Sequence, residues 1–284
     1  MHEDMTIEDR IKQAAMQIKK ADKLIILAGA GMSADSGLST FRDEDGYWKA
    51  QSINQFTLAS YTTFCNDPLS SWKFYANRIK LYRATAPHGG YQILKKWCDQ
   101  LGTGNSFVFT SNTDQHFEKS GFDRNQIYEC HGSLGYMYCS DTSCSTRNAG
   151  LIVITEHQLT KIFMGCLPEC TCGQLLRPHV LMFGDRSFNH DMNVVASHRW
   201  KSFSESIVSS DNLVVIEIGV GSTVTTVEDM TWQLSHKVHT VIQINPKKPS
   251  PDDSSCKWLS IDMSALVALI LLENDVLNIS EDYL

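Results

Sequence analysis

The stretch 24–42, LIILAGAGMSADSGLSTFR, constrains this chain most. Leu24-Ile25-Ile26-Leu27 is an apolar run of strand length that flows into Ala28-Gly29-Ala30-Gly31, and small and polar residues able to open a helix follow. Strand, glycine turn and helix start is how a doubly wound α/β fold cradles a pyrophosphate. Gly29 and Gly31 let the backbone approach the ligand, and the helix start offers free N–H groups. Position 34 is Ala, which the looser form of the dinucleotide fingerprint allows. The same turn also serves any α/β protein as a tight corner. The tail, with Ser33, Ser36-Gly37 and Phe41-Arg42, is not what an ordinary dehydrogenase needs there.

The chain has 284 residues, which suits one large domain or one domain with a substantial insert. At 42% hydrophobic it can build a full core, and its net charge of −7 argues against a partner bound mainly through a phosphate backbone. With no apolar run of ~18 residues, no transmembrane helix is expected. The charged start, MHEDMTIEDRIKQ, lacks the apolar stretch of a secretory leader. The chain therefore reads as intracellular and cytoplasmic, with the nucleus also open. Nine cysteines is an odd number for a disulfide framework, and five of them fall at 139, 144, 166, 170 and 172, a grouping that suggests metal.

Thr6 can cap a first helix in which Ile7, Ile11, Ala15 and Ile18 recur at helical spacing. Asp67-Pro68 is a helix entry, and the helix over 69–83 carries Trp72, Tyr75, Ile79 and Tyr82. Tyr75 and Arg78 are i,i+3 neighbours on one of its faces. A helix over 91–97 and a strand over 106–110 resume the main pattern. That strand ends in Thr110-Ser111-Asn112-Thr113-Asp114, so Asn112 and Asp114 are placed where open α/β sheets bind ligands, or else form an Asx turn. The strand 127–130 ends in His131-Gly132, which lets His131 reach the same crevice.

Cys139-x4-Cys144 opens a second insert with a short strand over 151–154, and Cys166, Cys170 and Cys172-Gly173 close it. Two cysteine pairs about 25 residues apart read as a structural zinc ribbon of Cys139, Cys144, Cys170 and Cys172, with Cys166 as the alternative to Cys170. Four thiolates leave zinc no open position, so no catalysis is assigned to it. Leu213–Ile218 is a buried strand ending in a second glycine turn, Gly219-Val220-Gly221-Ser222-Thr223. A strand over 241–244 ends in Asn245-Pro246, and an apolar helix covers 263–272. The expected fold is α/β, a doubly wound parallel, Rossmann-like sheet with a smaller lobe. Residues 1–45, 87–135 and 173–284 form the main domain. A helical insert, 46–86, and a zinc-binding insert, 136–172, form the lobe.

These blocks together resemble the sirtuins, NAD-dependent protein lysine deacylases. The matching residues are Gly29-Ala30-Gly31-Met32-Ser33, Ser36-Gly37, Phe41-Arg42, Asn112-x-Asp114, His131-Gly132, the cysteine cluster, and Arg177-Pro178-His179-Val180 running to Phe183-Gly184-Asp185. They occur in the family order over roughly residues 20–250. The chain departs from the family where Ser111 replaces Gln, His116-Phe117 replace Leu-His, Thr40 replaces Asp, and 219–223 only loosely matches Gly-Thr-Ser. These features look like a divergent microbial-type branch, one that carries the Tyr-x-x-Arg of sirtuins acting on acidic acyl groups.

The resemblance implies that an acyl-lysine carbonyl attacks the nicotinamide ribose of NAD, releasing nicotinamide and then lysine and O-acyl-ADP-ribose. NAD is thus a consumed co-substrate, and an acyl-lysine protein or peptide is the partner. His131 is implied as general base, Asn112 as positioning the ribose or a water, and Asp114 as anchoring the nicotinamide carboxamide. Phe41, Arg42, Gly29, Ala30, Gly31, Ser33, Gly219, Gly221, Ser222 and Asn245 are implied cofactor contacts. Val180, Phe183 and Gly184 are implied substrate contacts, joined by Tyr75 and Arg78 for the acyl group. A mono-ADP-ribosyltransferase or NAD glycohydrolase using the same pocket is the alternative. A non-enzymatic zinc module leaves Asn112, Asp114 and His131 without a purpose, and a dehydrogenase leaves the zinc ribbon unexplained.

Overall fold

The first helix, Ile7–Lys20, starts where Thr6 accepts a hydrogen bond from the Asp9 amide, a cap that contributes about 1 kcal/mol. Its Ile11, Ala14, Ala15 and Ile18 are buried. The computed structural model describes residues 5–39, 55–246 and 256–279, without the side chains of 55, 191 and 192. Nine strands are described: β1 Lys23–Ala28, β2 Ser106–Thr110, β3 Ile127–Glu129, β4 Gly132–Cys139, β5 Ile152–Val153, β6 Leu176–Val180, β7 Leu213–Ile218, β8 Thr240–Ile244 and β9 Lys257–Ile261.

Six of them form one parallel sheet in the order β3-β2-β1-β7-β8-β9. Strand order reverses between β1 and β7, and their carboxyl ends open the crevice that such a sheet offers a ligand. Apolar residues on both faces of β1 and over 213–216 of β7 read as continuous runs because helices cover both sides. The Ile7–Lys20, Gly89–Gln100 and Ala265–Asn278 helices pack on one face. The Val194–Glu205 and Thr226–Ser235 helices pack on the other.

The smaller lobe has its own core. An antiparallel sheet, β5-β4-β6, packs against the Pro68–Ala84 and Glu156–Phe163 helices through Trp72, Phe74, Met137, Leu159 and Leu176. Asp67 caps the first of these helices, with Pro68 in its first turn. β6, Leu176–Val180, runs as an edge of this small sheet. β6 pairs with β4 from Cys139↔Leu176 to Gly132↔Val180 across a register shift. Its buried polar residues, Arg177 and His179, hide the strand from a reading based on apolar alternation.

Candidate active site

Two glycine turns interlock at the switch point. Gly29 N–H donates to Ile218 O (3.0 Å) and Gly31 N–H to Gly219 O (2.9 Å). A Cβ on Gly29 would lie 2.6 Å from Gly219 O, one on Gly31 2.7 Å from Gly219 Cα, and one on Gly219 2.2 Å from Met32 N. Gly219 also has φ +63°. The expected reason for Gly29 and Gly31 was close approach to a ligand. The structure gives a prior one: each turn occupies the space in which the other's side chain would sit. The expected helix start is a seven-residue 3-10 turn, Ala30–Ser36. Asn245 Nδ2 donates to Val220 O (2.8 Å), tying the end of β8 to the second turn. Gly221 and Ser222 are exposed beside it, and Ala30 is partly exposed. Phe41 and Arg42 lie outside the described residues.

Ser33 sits at the centre of a buried polar cluster. Its Oγ donates to Asp114 Oδ2 (2.6 Å) and receives hydrogen bonds from Asn112 Nδ2 (3.3 Å) and the Tyr91 hydroxyl (2.8 Å). Burial first, and then the Asp114 charge, holds the Tyr91 phenol well above its usual range, so Tyr91 keeps its proton and donates. Asp114 Oδ1 accepts the His116 amide (2.9 Å). Thr110 bridges the Ala28 carbonyl and the Asn112 amide. The carboxyl ends of β1 and β2 are therefore one hydrogen-bonded unit, closed by Gln115 in a left-handed conformation, φ 62°. The sequence reading identified Ser33, Asn112 and Asp114 but missed Tyr91, whose only signal was a hydroxyl on an otherwise apolar helical face.

His131 stands at the next strand end, between β3 and β4, with Nε2 3.1 Å from Thr226 Oγ1. Burial lowers its imidazole to about 4, so it is neutral at physiological pH. His179 is likewise lowered to about 4, by burial and then by Arg177 and Arg124, and burial also lowers His116. The unfolded chain protonates these rings as pH falls through about 6.5, while the fold resists, His131 and His179 until about 4. Glu129, raised to about 8, works the other way: the stability it contributes is full at acid pH and is lost as pH rises from about 4.5 to 8. Below about pH 6.5, three histidines against one glutamate give net proton uptake on unfolding. Stability should be greatest near pH 6.5, decline toward pH 4.5 by about 1.4 kcal/mol per pH unit for each net proton, and ease off again toward pH 8, where the Glu129 contribution alone still changes. Urea midpoints at pH 6.5 and 5.0 check this, and equal midpoints would refute it.

The Phe183 segment forms the wall facing the lobe. Phe183 N donates to Ala59 O and Tyr61 N donates to Phe183 O, each at 3.0 Å. Behind it, Arg177 and Asp185 form a fully buried ion pair, and Tyr61, Phe64 and Tyr138 surround the guanidinium. Arg177 also donates to Val180 O (3.0 Å), while Asp185 Oδ1 accepts the Ser187 amide (2.9 Å). Val180, Met182 and Phe183 share one apolar cluster with Tyr75. Tyr75 donates to Ala59 O (3.2 Å). Arg78, expected on the same face, is buried, donates from Nε to the Tyr82 hydroxyl (3.2 Å) and lies over the Phe74 and Tyr82 rings. Burial raises the Tyr75 phenol, and the Arg177 and Arg78 charges oppose that rise.

Cys139, Cys144, Cys170 and Cys172 bring their sulfurs within 4.8 Å of one another, while Cys166 lies outside this group and is exposed. Sγ···Sγ distances of 3.6 Å (Cys139–Cys172) and 3.9 Å (Cys144–Cys170) suit a tetrahedron with Zn–S near 2.3 Å, whose edge is about 3.8 Å. The Cys172 amide and the Thr146 hydroxyl lower the Cys170 thiol to about 6, toward the thiolate that a metal needs. The donor set fits structural zinc.

The model of the Sir2 family matches residues 29–216. A NAD-dependent protein deacetylase of Halalkalibacterium halodurans is 31% identical over 70% of this chain and 76% of its own length. A NAD-dependent protein deacylase of Corynebacterium glutamicum is 25% identical over 93% of this chain and 96% of its own. Among solved structures, a complex of a Sir2 homologue with NAD superimposes with a TM-score of 0.72, 26% identity and 95% of each chain covered. The family model spans the glycine turn, the Asn112–Asp114 loop, the His131 corner, the cysteine cluster and β7, and with it this chain belongs to the Sir2 family.

Proposed function

We propose that the protein is a NAD-dependent protein lysine deacylase, releasing nicotinamide and O-acyl-ADP-ribose. The observation that carries this reading is the convergence of three strand ends. β1 and β2 bring the Ser33–Asn112–Asp114 unit, and the β3–β4 corner brings a neutral histidine. The names of the relatives support the same reading. They favour deacylation over ADP-ribosyl transfer, the reading that the divergent 111–117 segment had kept open.

Residues 29–33, 219–222 and Asn245 hold the cofactor's diphosphate and adenosine side, and Asn112 and Asp114 meet its nicotinamide end. NAD supplies the chemistry: a positively charged pyridinium leaving group on an electrophilic ribose carbon. His131 takes the proton of a ribose hydroxyl as general base, a task that requires the neutral ring burial favours. Opposite charge from a nearby diphosphate then favours the imidazolium. The Phe183-Gly184 segment, clamped to residues 59–61, flanks the acyl-lysine chain together with Val180. Incubation with NAD and a panel of acyl-lysine peptides, read by mass spectrometry, tests the assignment. Loss of the acyl mass from peptide with formation of O-acyl-ADP-ribose is expected, and ADP-ribosylated protein with intact acyl-lysine would overturn it.

Tyr75 and Arg78 receive an acidic acyl group in this reading. Two features support it: Tyr75 packs among Val180, Met182 and Phe183, and two guanidinium charges act on its hydroxyl. Guanidinium takes a terminal carboxylate bidentately, and such a charged hydrogen bond contributes about 1.5–3 kcal/mol. Arg78→Ala should therefore lower kcat/KM for a succinyl-lysine peptide by roughly 10- to 100-fold, with a much smaller change on acetyl-lysine. Equal losses on both peptides, or no desuccinylation by the unmodified protein, would refute the assignment.

A further inference from the structure

Tyr91 enters the polar cluster from outside the two strands that carry it. It is fully buried on the Gly89–Gln100 helix, and its ring lies against His88, His116 and Phe117, with centroids 5.0, 5.6 and 4.9 Å away. Other bonds hold the start of this helix to the Ala30–Ser36 turn. His88 N donates to Ser36 Oγ (3.0 Å), and His88 Nδ1 accepts the Gly90 amide (3.0 Å), which leaves Nε2 to donate to Met32 O (2.7 Å). The Tyr91 hydroxyl is therefore not needed to dock the helix, and the proposed function gives it no task.

Counting hydrogens fixes the direction of each bond around Ser33. A serine hydroxyl has one hydrogen and two acceptor sites. Ser33 gives its hydrogen to Asp114 Oδ2, 2.6 Å away. Both acceptor sites are filled, one by the Tyr91 hydroxyl (2.8 Å) and one by Asn112 Nδ2 (3.3 Å). The Ser33 Oγ thus has no bond left for a ligand, and Asn112 faces it with the nitrogen of its amide. Asn112 Oδ1 is turned away from Ser33 and accepts from no described residue. Asp114 accepts once at each oxygen, from Ser33 and from the His116 amide. A carboxylate oxygen has two acceptor sites, so one remains on each.

We infer that Tyr91 is a positioning residue: by filling the second acceptor site of Ser33, its hydroxyl locks the rotamer that aims Asn112 Oδ1 and the remaining acceptor sites of Asp114 at the nicotinamide end of NAD. Tyr91 touches no ligand in this arrangement and acts through Ser33. Without the phenol, one buried acceptor site of Ser33 is left empty, and the hydroxyl either admits a water or turns. The Asn112 amide follows, because its bond to Ser33 is the longest of the three. The Asn112 main chain is held separately, by Thr110 Oγ1 (3.0 Å), so the loop stays in place and only the direction of the side chain is lost.

This inference rests on the reading that Asn112 and Asp114 meet NAD, so its test reads binding and needs no deacylation. Calorimetric affinities for NAD and for ADP are measured for the unmodified protein, Tyr91→Phe, Ser33→Ala and the double variant. Phenylalanine keeps the ring packing and removes only the hydroxyl. ADP carries the adenosine and the diphosphate but neither the second ribose nor the nicotinamide. Tyr91→Phe should weaken NAD by roughly 3- to 10-fold and change ADP by less than about 2-fold. Ser33→Ala should weaken NAD at least as much, and adding Tyr91→Phe to it should cost less than about 2-fold more, because the hydroxyl then has no Ser33 to hold. Equal losses of NAD and ADP in Tyr91→Phe, an unchanged NAD affinity, or a double variant whose loss is the product of the two single losses would overturn it. A Tyr91→Phe chain that does not fold would overturn it too, by making the hydroxyl structural. If Ser33→Ala does not fold, the comparison of NAD with ADP in Tyr91→Phe decides alone. An unmodified protein that does not bind NAD refutes the cofactor reading and the inference with it. A protein that shows the expected pattern yet deacylates nothing refutes the catalytic reading and leaves Tyr91 its role.

Discussion

His131→Ala is expected to lower deacylation by about 10²–10⁴-fold, the range of a lost general base, while leaving NAD affinity within a few-fold. The separation follows from where the two functions reside. In the proposed reading the cofactor lies on the interlocked turns at Gly29, Gly31 and Gly219 and on the Ser33–Asp114 unit, none of whose hydrogen bonds uses the His131 ring. That ring contacts Thr226 at the β3–β4 corner. Because burial holds the imidazole near 4 in the free protein, binding should shift its titration rather than create it. Product formation under saturating NAD, together with calorimetric NAD affinity, reads both parts. Full deacylation by the variant would remove His131 from the mechanism, and loss of NAD binding would make its role structural.

Stripping the metal should unfold the lobe and inactivate the enzyme. Structural zinc contributes an apparent ~10–16 kcal/mol in small domains, more than a lobe of this size holds in reserve. The route to the active site is short. Cys139 ends β4, while Cys170 and Cys172 immediately precede β6. The same two strands meet again at Gly132↔Val180, beside His131. A disordered cysteine knuckle would free that register and the Phe183 segment beyond it. Freshly purified protein should hold about one zinc per chain. Chelation should lower activity and ellipticity together, Cys170→Ser should lose the metal, and Cys166→Ser should retain it. Active protein without zinc, or the opposite cysteine pattern, would refute this assignment.

The parallel strands were legible because covered sheets need residues that are apolar on both faces, as in β1 and β7. Asp67-Pro68 and Thr6 marked helix starts through local chemistry that needs no tertiary information. β9 escaped because Ser260 bonds Gln243, which bonds Glu217, across three neighbouring buried strands, and that polar row breaks the apolar pattern. β4 and β6 escaped for a related reason. Arg177 lies fully buried in a strand only because Asp185, eight residues later, folds back onto it. The site was legible as residue types at strand ends, but the bonds that organise it were not. Tyr91 reaches Ser33 across 58 positions of sequence.

The glycine seam has a consequence for ligand choice. Main chain meets main chain there, with Gly219 accepting from Gly31, so no rotamer stands between the two halves of the sheet to take up a displacement. Asn245 ties β8 to one lip of the seam, and Ser33 ties the Asp114 loop to the other. In the proposed binding mode, the span from the adenosine end to the nicotinamide end is therefore set by main-chain contacts. On that reading, mutations that reshape side chains around the crevice should leave the preference for a dinucleotide's length unchanged.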